Sequence, residues 1–213
     1  MNRTIFLVDG FNLYHSTVQA SRDAQGATTK WLDLKRLCSS CLPLAGQVSG
    51  ERATLERIHY FSAPPIHRSQ EKLDRHMLFM RYLRASGVNV ELARFKEKDV
   101  YCPNCRAFFV AHEEKETDVA IAANLFGVCF GDECETAILM TGDTDLAPVI
   151  RTCRRLFASK LIFFAFPYRR TNSELAGLAP ESFSIKLKSY LRHQFPDPLV
   201  LPDGTTVRKP SIW

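Results

Sequence analysis

The carboxylates best placed to do chemistry in this sequence follow short apolar runs. Asp143 and Asp145 come directly after residues 137–140, in the segment AILMTGDTDLAPVI, and Asp9 ends residues 4–9, TIFLVD. Like charges held this close repel one another unless a cation lies between them. Each acid also has a structural explanation, as a turn former or a helix N-cap. Those explanations do not account for three acids that all follow apolar runs, which favours a shared site.

The apolar runs before these acids are typical of buried strands, and helical patterns separate them. Strands are predicted at 4–9, 57–63, 88–95, 136–142 and 160–167, and helices at 31–42, 69–87, 117–130 and 145–158. This alternation predicts an α/β fold with a mainly parallel sheet and helices on both faces. Parallel strands end at the same edge of a sheet, so the three acids meet there if their strands are neighbours.

A fourth acid, Asp118, lies in the first turn of the helix predicted at 117–130. Its structural role there would be to compensate the helix dipole. Val119 and Phe126 share a helical spacing that predicts their side of this helix as the buried one. A cluster of three or four carboxylates needs a compensating ion, and oxygen ligands alone suit Mg²⁺ or Mn²⁺. Such an ion activates water and stabilises phosphoryl transfer, as in phosphodiester hydrolysis.

Other catalytic motifs are absent from the sequence. It contains no G-x-S-x-G nucleophile elbow, no phosphate-binding P-loop and no G-x-G-x-x-G. The first strand ends in V-D-G-F, which lacks the D-x-D of phosphatases that form an aspartyl phosphate. A phosphatase or nucleotidase is therefore the less favoured reading of the acids.

Three sequence blocks together resemble the NYN branch (LabA-like) of the PIN-like nuclease superfamily. They are FLVDGFNLYHS at 6–16, EEKETDVAIAANLF at 113–126 and AILMTGDTDLAPVI at 137–150. Their order and spacing match over roughly residues 4–190. The resemblance implies a three-layer α/β/α sandwich with a mainly parallel central sheet. It also implies a ribonuclease site that depends on Mg²⁺ or Mn²⁺.

The resemblance assigns roles to particular residues. The acidic positions of the family, which ligate the metal and carry catalysis, fall on Asp9, Asp118, Asp143 and Asp145. Asn12 would orient the site or contact substrate, Thr141 stands before the Gly-Asp pair, and Lys115 would contact a phosphate. A non-catalytic RNA- or protein-binding module on the same fold is the alternative function.

Residues 96–116 interrupt the alternation of strands and helices and are predicted to form an inserted loop or hairpin. Cys102 and Cys105 make a C-x-x-C there, which is half of a structural zinc site, and His112 is the nearest further ligand. Plain thiols are the other interpretation of these cysteines. Seven cysteines, an odd count, suit a reducing compartment better than a disulfide framework.

Charge is distributed unevenly along the chain, whose net charge is +5. Residues 151–213 hold 11 Lys or Arg against 4 Asp or Glu, whereas residues 1–150 hold 17 against 19. A basic third beside an acidic site suits a nucleic acid, although a solvated surface has the same composition. Arg169 and Arg170 follow a predicted strand at the edge that carries the acids, where they would hold RNA phosphates.

The organisation predicted from these patterns is one nuclease domain at 1–195 followed by a tail at 196–213. The expected partner is single-stranded RNA, and a homodimer is left open. The apolar run at 5–8 is too short for a signal peptide or a membrane span, so we expect a cytoplasmic protein without a membrane partner.

Overall fold

The computed structural model describes residues 1–201 and 204–211. The strands are β1 (Asn2–Asp9), β2 (Ala53–Ser62), β3 (Asn89–Leu92), β4 (Arg94–Tyr101), β5 (Phe108–Lys115), β6 (Thr136–Met140), β7 (Leu161–Phe166), β8 (Phe183–Ser184), β9 (Leu199–Val200) and β10 (Thr206–Val207). The helices are α1 (Gly10–Asp23), α2 (Leu34–Ser49), α3 (Gln70–Ala85), α4 (Thr117–Phe130), α5 (Ala147–Leu156), α6 (Ser173–Leu178) and α7 (Leu187–Arg192), and a 3-10 turn spans Thr144–Leu146. None of the helices in the described ranges has the length and apolar character needed to cross a membrane.

The central sheet has the strand order β3-β2-β1-β6-β7-β8, and every neighbouring pair is parallel. In this order β1 lies between β2 and β6. Asp9 at the end of β1 is opposite Phe61 of β2, and Val8 is opposite Met140 of β6. The strand ends that precede the acids are therefore adjacent. The predicted α/β fold with a mainly parallel central sheet and flanking helices is confirmed.

The middle strands of the sheet are buried on both faces. Residues 5–8 of β1, 137–140 of β6 and 162–166 of β7 are almost fully inaccessible to solvent. Parallel strands covered by helices on both sides require apolar side chains at consecutive positions, which these runs provide. This continuous burial is why the strands were recognisable from sequence.

Helix α1, by contrast, was not predicted. Among the residues of Gly10–Asp23 that face inward, Leu13 is the only large apolar one, and Ser16, Thr17 and Ala20 fill the rest of that face. A helix that packs through small and polar side chains shows little apolar periodicity. The sequence pattern therefore gave no sign of an element that lies directly beside the acids.

The segment predicted as an inserted loop or hairpin forms the antiparallel pair β4–β5, separate from the central sheet. Its register runs from Arg94 opposite Lys115 to Tyr101 opposite Phe108. The predicted tail contains the short antiparallel pair β9–β10, while its residues 202–203 and 212–213 lie outside the described part of the chain. The boundary of the nuclease domain at residue 195 stays a prediction.

Gly142, between β6 and the 3-10 turn, provides a test of how tightly the strand ends are packed. A Cβ atom at this position would lie 2.1 Å from the carbonyl oxygen of Arg170, which is backbone and cannot rotate away. We expect Gly142→Ala to lower the free energy of unfolding by about 2 kcal/mol or more, measured by urea denaturation.

Gly127→Ala is the matched control, because a Cβ at Gly127 in α4 meets no atom within 4 Å. Alanine is the better helix former, so this variant is expected to gain about 0.5–1 kcal/mol. Equal stability of the Gly142→Ala variant and the wild type would contradict the close approach of the turn after β6 to the loop after β7.

Candidate active site

Asp9 is the most buried acid at the carboxyl edge of the sheet, with 5% of its surface exposed. It is the N-cap of α1, and its Oδ1 accepts the backbone N–H of Asn12 at 2.9 Å. Its Oδ2 accepts the hydroxyl of Thr141 at 2.8 Å. Burial nevertheless raises the pKa of Asp9 to about 6, because these two hydrogen bonds do not replace full hydration.

The hydroxyl of Thr141 joins the ends of β1 and β6. Besides donating to Asp9, Thr141 Oγ1 accepts the backbone N–H of Asp143 at 3.1 Å. Asp143 Oδ1 in turn accepts the backbone N–H of Asp145 at 3.0 Å and caps the 3-10 turn. One acid of the pair therefore has a capping role as well as its charge, while Asp145 is exposed.

Asp118 lies in the first turn of α4, within electrostatic range of the two acids that follow β6. Burial raises its pKa, and repulsion from Asp143 and Asp145 raises it further. The structure thus brings the four predicted acids into one electrostatically coupled group, since the charge of Asp118 also raises the pKa of Asp9.

Glu114 is a fifth acid in this group, and sequence reasoning gave it no role. Its Oε1 accepts the hydroxyl of Thr117 at 2.6 Å. Burial and then the charge of Asp118 raise the pKa of Glu114, and its own charge raises the pKa of Asp9. Strand alternation in β5 was the available signal, because it places Glu114 on the face opposite Lys115. The five carboxylates are called the acid cluster below: Asp9, Glu114, Asp118, Asp143 and Asp145.

The polar residues predicted to assist the acids have different surroundings. The backbone of Asn12 holds Asp9, while its side-chain Oδ1 is buried and has no hydrogen-bond partner among the described residues. Lys115 turns away from the cluster, and its Nζ lies 3.0 Å from a carboxylate oxygen of Glu113. The structure therefore brings Asn12 to the acids and places the ammonium of Lys115 on the other face of β5.

The two arginines that follow β7 also differ. The Nε atom of Arg169 lies 2.8 Å from a carboxylate oxygen of Asp23, so its charge is already paired. Arg170 is exposed, and its backbone contacts Gly142 in the turn after β6. Both arginines lie on the β7 side of the acid cluster, and their contact with RNA phosphates stays a prediction.

The structure does not bring His112 to Cys102 and Cys105, the three residues predicted as possible zinc ligands. Both cysteines lie in the hairpin turn, where hydrogen bonds from Cys105 lower the pKa of the Cys102 thiol. His112 lies four residues along β5 from Phe108, about 13 Å from the turn. Its ring instead stacks on His67, with a centroid separation of 4.4 Å. The register of the hairpin therefore separates the histidine from the thiols.

The acid cluster has the donor chemistry of a hard-cation site without a closed coordination sphere. Within residues 1–201 and 204–211, no three His, Cys, Asp or Glu side chains converge closely enough to hold a metal ion as they stand. The cluster offers only oxygen donors and its charges repel one another, and Asn12, whose backbone N–H binds Asp9, has a buried Oδ1 without a hydrogen-bond partner among the described residues. These properties fit Mg²⁺ or Mn²⁺ better than a softer metal.

Comparison with known proteins identifies the family. The family model of the NYN domain matches residues 3–186. The chain belongs to the NYN domain family. NYN domains are part of the PIN-like ribonuclease superfamily, so the resemblance carried by the three sequence blocks is confirmed.

A solved structure shows the same fold as this NYN domain. It is a protein of unknown function from Vibrio parahaemolyticus, with a TM-score of 0.54 and 17% sequence identity. The alignment covers 87% of this chain and 93% of that one. No curated protein matches the sequence. At this identity the likeness supports the architecture of the NYN domain, and the chemistry has to be argued from its own residues.

The buried charge of Asp9 makes stability depend on pH in a predictable direction. Its pKa of about 6 in the folded protein exceeds the ordinary value of 3.8, so the folded state binds more protons between these values. Wild-type stability should therefore fall as pH rises from about 4 to about 6 and stay lower above that. In EDTA at pH 7.5, we expect Asp9→Asn to be more stable than wild type by about 2–3 kcal/mol at most.

Urea denaturation at pH 5 and pH 7.5 measures this difference, which should be smaller at pH 5. Asparagine can keep both hydrogen bonds, because its oxygen accepts from Asn12 and its amide donates to Thr141. Glu56→Gln, an exposed change near the opposite end of β2, is expected to follow the wild type at both values. If Asp9→Asn were more stable than the wild type by the same amount at pH 5 and pH 7.5, the raised pKa of Asp9 would be contradicted.

Proposed function

We propose that this NYN domain is a metal-dependent nuclease that hydrolyses phosphodiester bonds of RNA. The observation that carries the proposal is the acid cluster, in which five carboxylates from four separate segments meet at a single sheet edge, and burial and neighbouring acids raise the pKa of Asp9, Glu114 and Asp118. A fold does not retain such repulsion for stability, since each charge there costs free energy. Clustered perturbed carboxylates are instead typical of functional sites.

A divalent cation would be held by Asp9, Asp118, Asp143 and Asp145, with Asn12 Oδ1 as a further oxygen donor. When bound, such an ion lowers the pKa of water and neutralises charge on a phosphate undergoing attack. The proposal assigns the ion to Mg²⁺ or Mn²⁺ because the cluster contains no sulfur or imidazole ligand.

The protein groups position the acids and handle protons. Thr141 keeps an oxygen of Asp9 fixed, so that this carboxylate faces the site in one orientation. Asp143 Oδ1 accepts the N–H of Asp145 in the 3-10 turn, so Oδ2 remains free to bind the cation or the substrate. Glu114 uses Oε1 for Thr117 and keeps Oε2 to accept a proton from an attacking water. Burial raises the pKa of Glu114, which makes it a stronger proton acceptor than an ordinary exposed glutamate.

Metal binding can be tested without any substrate. Mn²⁺ at about a hundredfold excess over its Kd should stabilise the wild type by about 2.7 kcal/mol, seen as a rise in melting temperature. Asp9→Asn and Asp118→Asn remove ligands and should abolish most of this rise, whereas Glu56→Gln should retain it. An equal rise in all four proteins would place the ion elsewhere.

Catalysis is tested by incubating labelled single-stranded RNA with the protein and Mn²⁺ or Mg²⁺. We expect cleavage that EDTA abolishes and that Asp143→Asn lowers by about a hundredfold or more, as when an electrostatic stabiliser of a transition state is lost. Asparagine at this position still offers an oxygen to the N–H of Asp145, so the 3-10 turn is kept.

Glu56→Gln serves again as the control, and it should cut RNA at the wild-type rate. Cleavage that persists in EDTA and in Asp143→Asn would overturn the metal mechanism. RNA binding without cleavage in either metal would favour a binding module on the same fold over a nuclease.

A further inference from the structure

A cleft of about 660 Å³ opens beside the acid cluster on the β2 side. Its walls come from α1, from the loop that follows β2, from α3 and from the β4–β5 hairpin. Gly10, the residue after Asp9, lines it, and so does Glu114 of the cluster. The cleft is therefore continuous with the edge that carries the acids.

The cleft is rich in cationic side chains, namely Lys30, Arg68, Lys72 and Arg75. Glu114 is the one carboxylate that lines it in the described part of the chain. Arg75 lies at 4.0 Å from an acid of its own helix, while the other three have no ion pair with any residue the structure describes. Unpaired cations in a concave surface attract a polyanion.

Four of the six histidines of the chain also line this cleft: His15, His67, His76 and His112. The rings of His67 and His112 are stacked. Burial lowers the pKa of His67 and lowers that of His76 to about 4, so these rings are neutral at physiological pH. They therefore add flat aromatic faces to the cleft and no further charge. His67 Nδ1 and His76 Nε2 are buried and have no hydrogen-bond partner among the described residues.

Two aromatic side chains of α1 contribute to the same cleft. Phe11 is 51% exposed and Tyr14 is 50% exposed, although large aromatic side chains such as these are usually buried in a core. The rings of Phe11 and His15 meet edge to face at 4.5 Å. Exposed rings among unpaired cations are the combination that single-stranded nucleic acids bind, through base stacking and phosphate contacts.

The surface on the other side of the acids differs in its charge pairing. By strand order, β2 and β7 flank the pair β1 and β6 that carries Asp9 and Asp143. On the β7 side, Arg151, Arg154 and Arg169 each have a carboxylate within 4.0 Å. Arg170, whose backbone contacts Gly142, also has no ion pair among the described residues, but the three unpaired cations Lys30, Arg68 and Lys72 are gathered in the cleft.

We propose that the cleft binds the nucleotides on one side of the scissile phosphate of a single-stranded RNA, which then crosses the acid cluster. Its phosphates contact Arg68, Lys72 and Arg75, and its unstacked bases lie against the histidine and aromatic rings. A duplex keeps its bases stacked and cannot use these rings. This inference rests on the proposed function, because it identifies the strand that the acid cluster would cut.

The test measures binding of a fluorescein-labelled, unstructured RNA in EDTA by fluorescence anisotropy at several salt concentrations. Arg68→Ser/Lys72→Ser should weaken binding by about tenfold or more and lower the slope of log K against log salt by about 1.4, or 0.7 for each lost contact. Arg52→Ser/Arg84→Ser removes the same charge from exposed sites at the opposite edge and should bind as the wild type does. Thermal melting of each variant checks that the fold is kept.

Arg169→Ser/Arg170→Ser tests the rival path on the β7 side. If Arg169→Ser/Arg170→Ser lost RNA binding while Arg68→Ser/Lys72→Ser bound normally, the inference would be overturned and the nuclease proposal would remain intact. Equal affinity for duplex and single-stranded RNA would also overturn it. If the wild type neither binds nor cuts RNA with either metal, both the proposed function and this inference are wrong.

Discussion

The hydroxyl of Thr141 is the contact on which the arrangement of the acids depends. It donates to Asp9 and accepts from the N–H of Asp143, so one oxygen atom joins the ends of β1 and β6. Parallel register places the two ends side by side, but it does not orient a carboxylate. Without this hydroxyl, Asp9 would keep a single hydrogen bond while remaining buried, and a buried charge with so few donors is costly.

The sheet order that brings the acids together also places basic residues on two opposite sides of them. The loops after β2 and β7 lie on either side of the acids, and each carries basic residues. On the β7 side Arg169 is paired with Asp23, whereas on the β2 side Arg68 and Lys72 have no ion pair among the described residues. The proposed RNA would therefore meet a group of unpaired cations on the β2 flank, which would give the site a direction as well as a location.

The elements that sequence predicted well are those whose burial leaves a simple pattern. Strands β1, β6 and β7 are buried on both faces, and the bounds of α4 agree with the helix predicted at 117–130. The prediction of which face of α4 is buried was nevertheless wrong, because Val119 is 72% exposed whereas Ile121 and Leu125 are buried. This helix is apolar on all sides, so periodicity cannot select a face, and only the packing against the sheet decides it.

The acids and the cleft differ in how far they could be predicted, for a physical reason. Strand ends converge by topology, so Asp9 and Asp143 could be placed together once the sheet was inferred. The cleft is lined by the hairpin, by the loop after β2 and by two helices that are distant in sequence, and one of these helices, α1, left no periodic signal. Glu114 belongs to both sites, because strand alternation turns it inward from the hairpin while Lys115 turns outward. Non-local packing thus forms the cleft proposed to receive substrate, whereas local pattern places the acids proposed to carry out the chemistry.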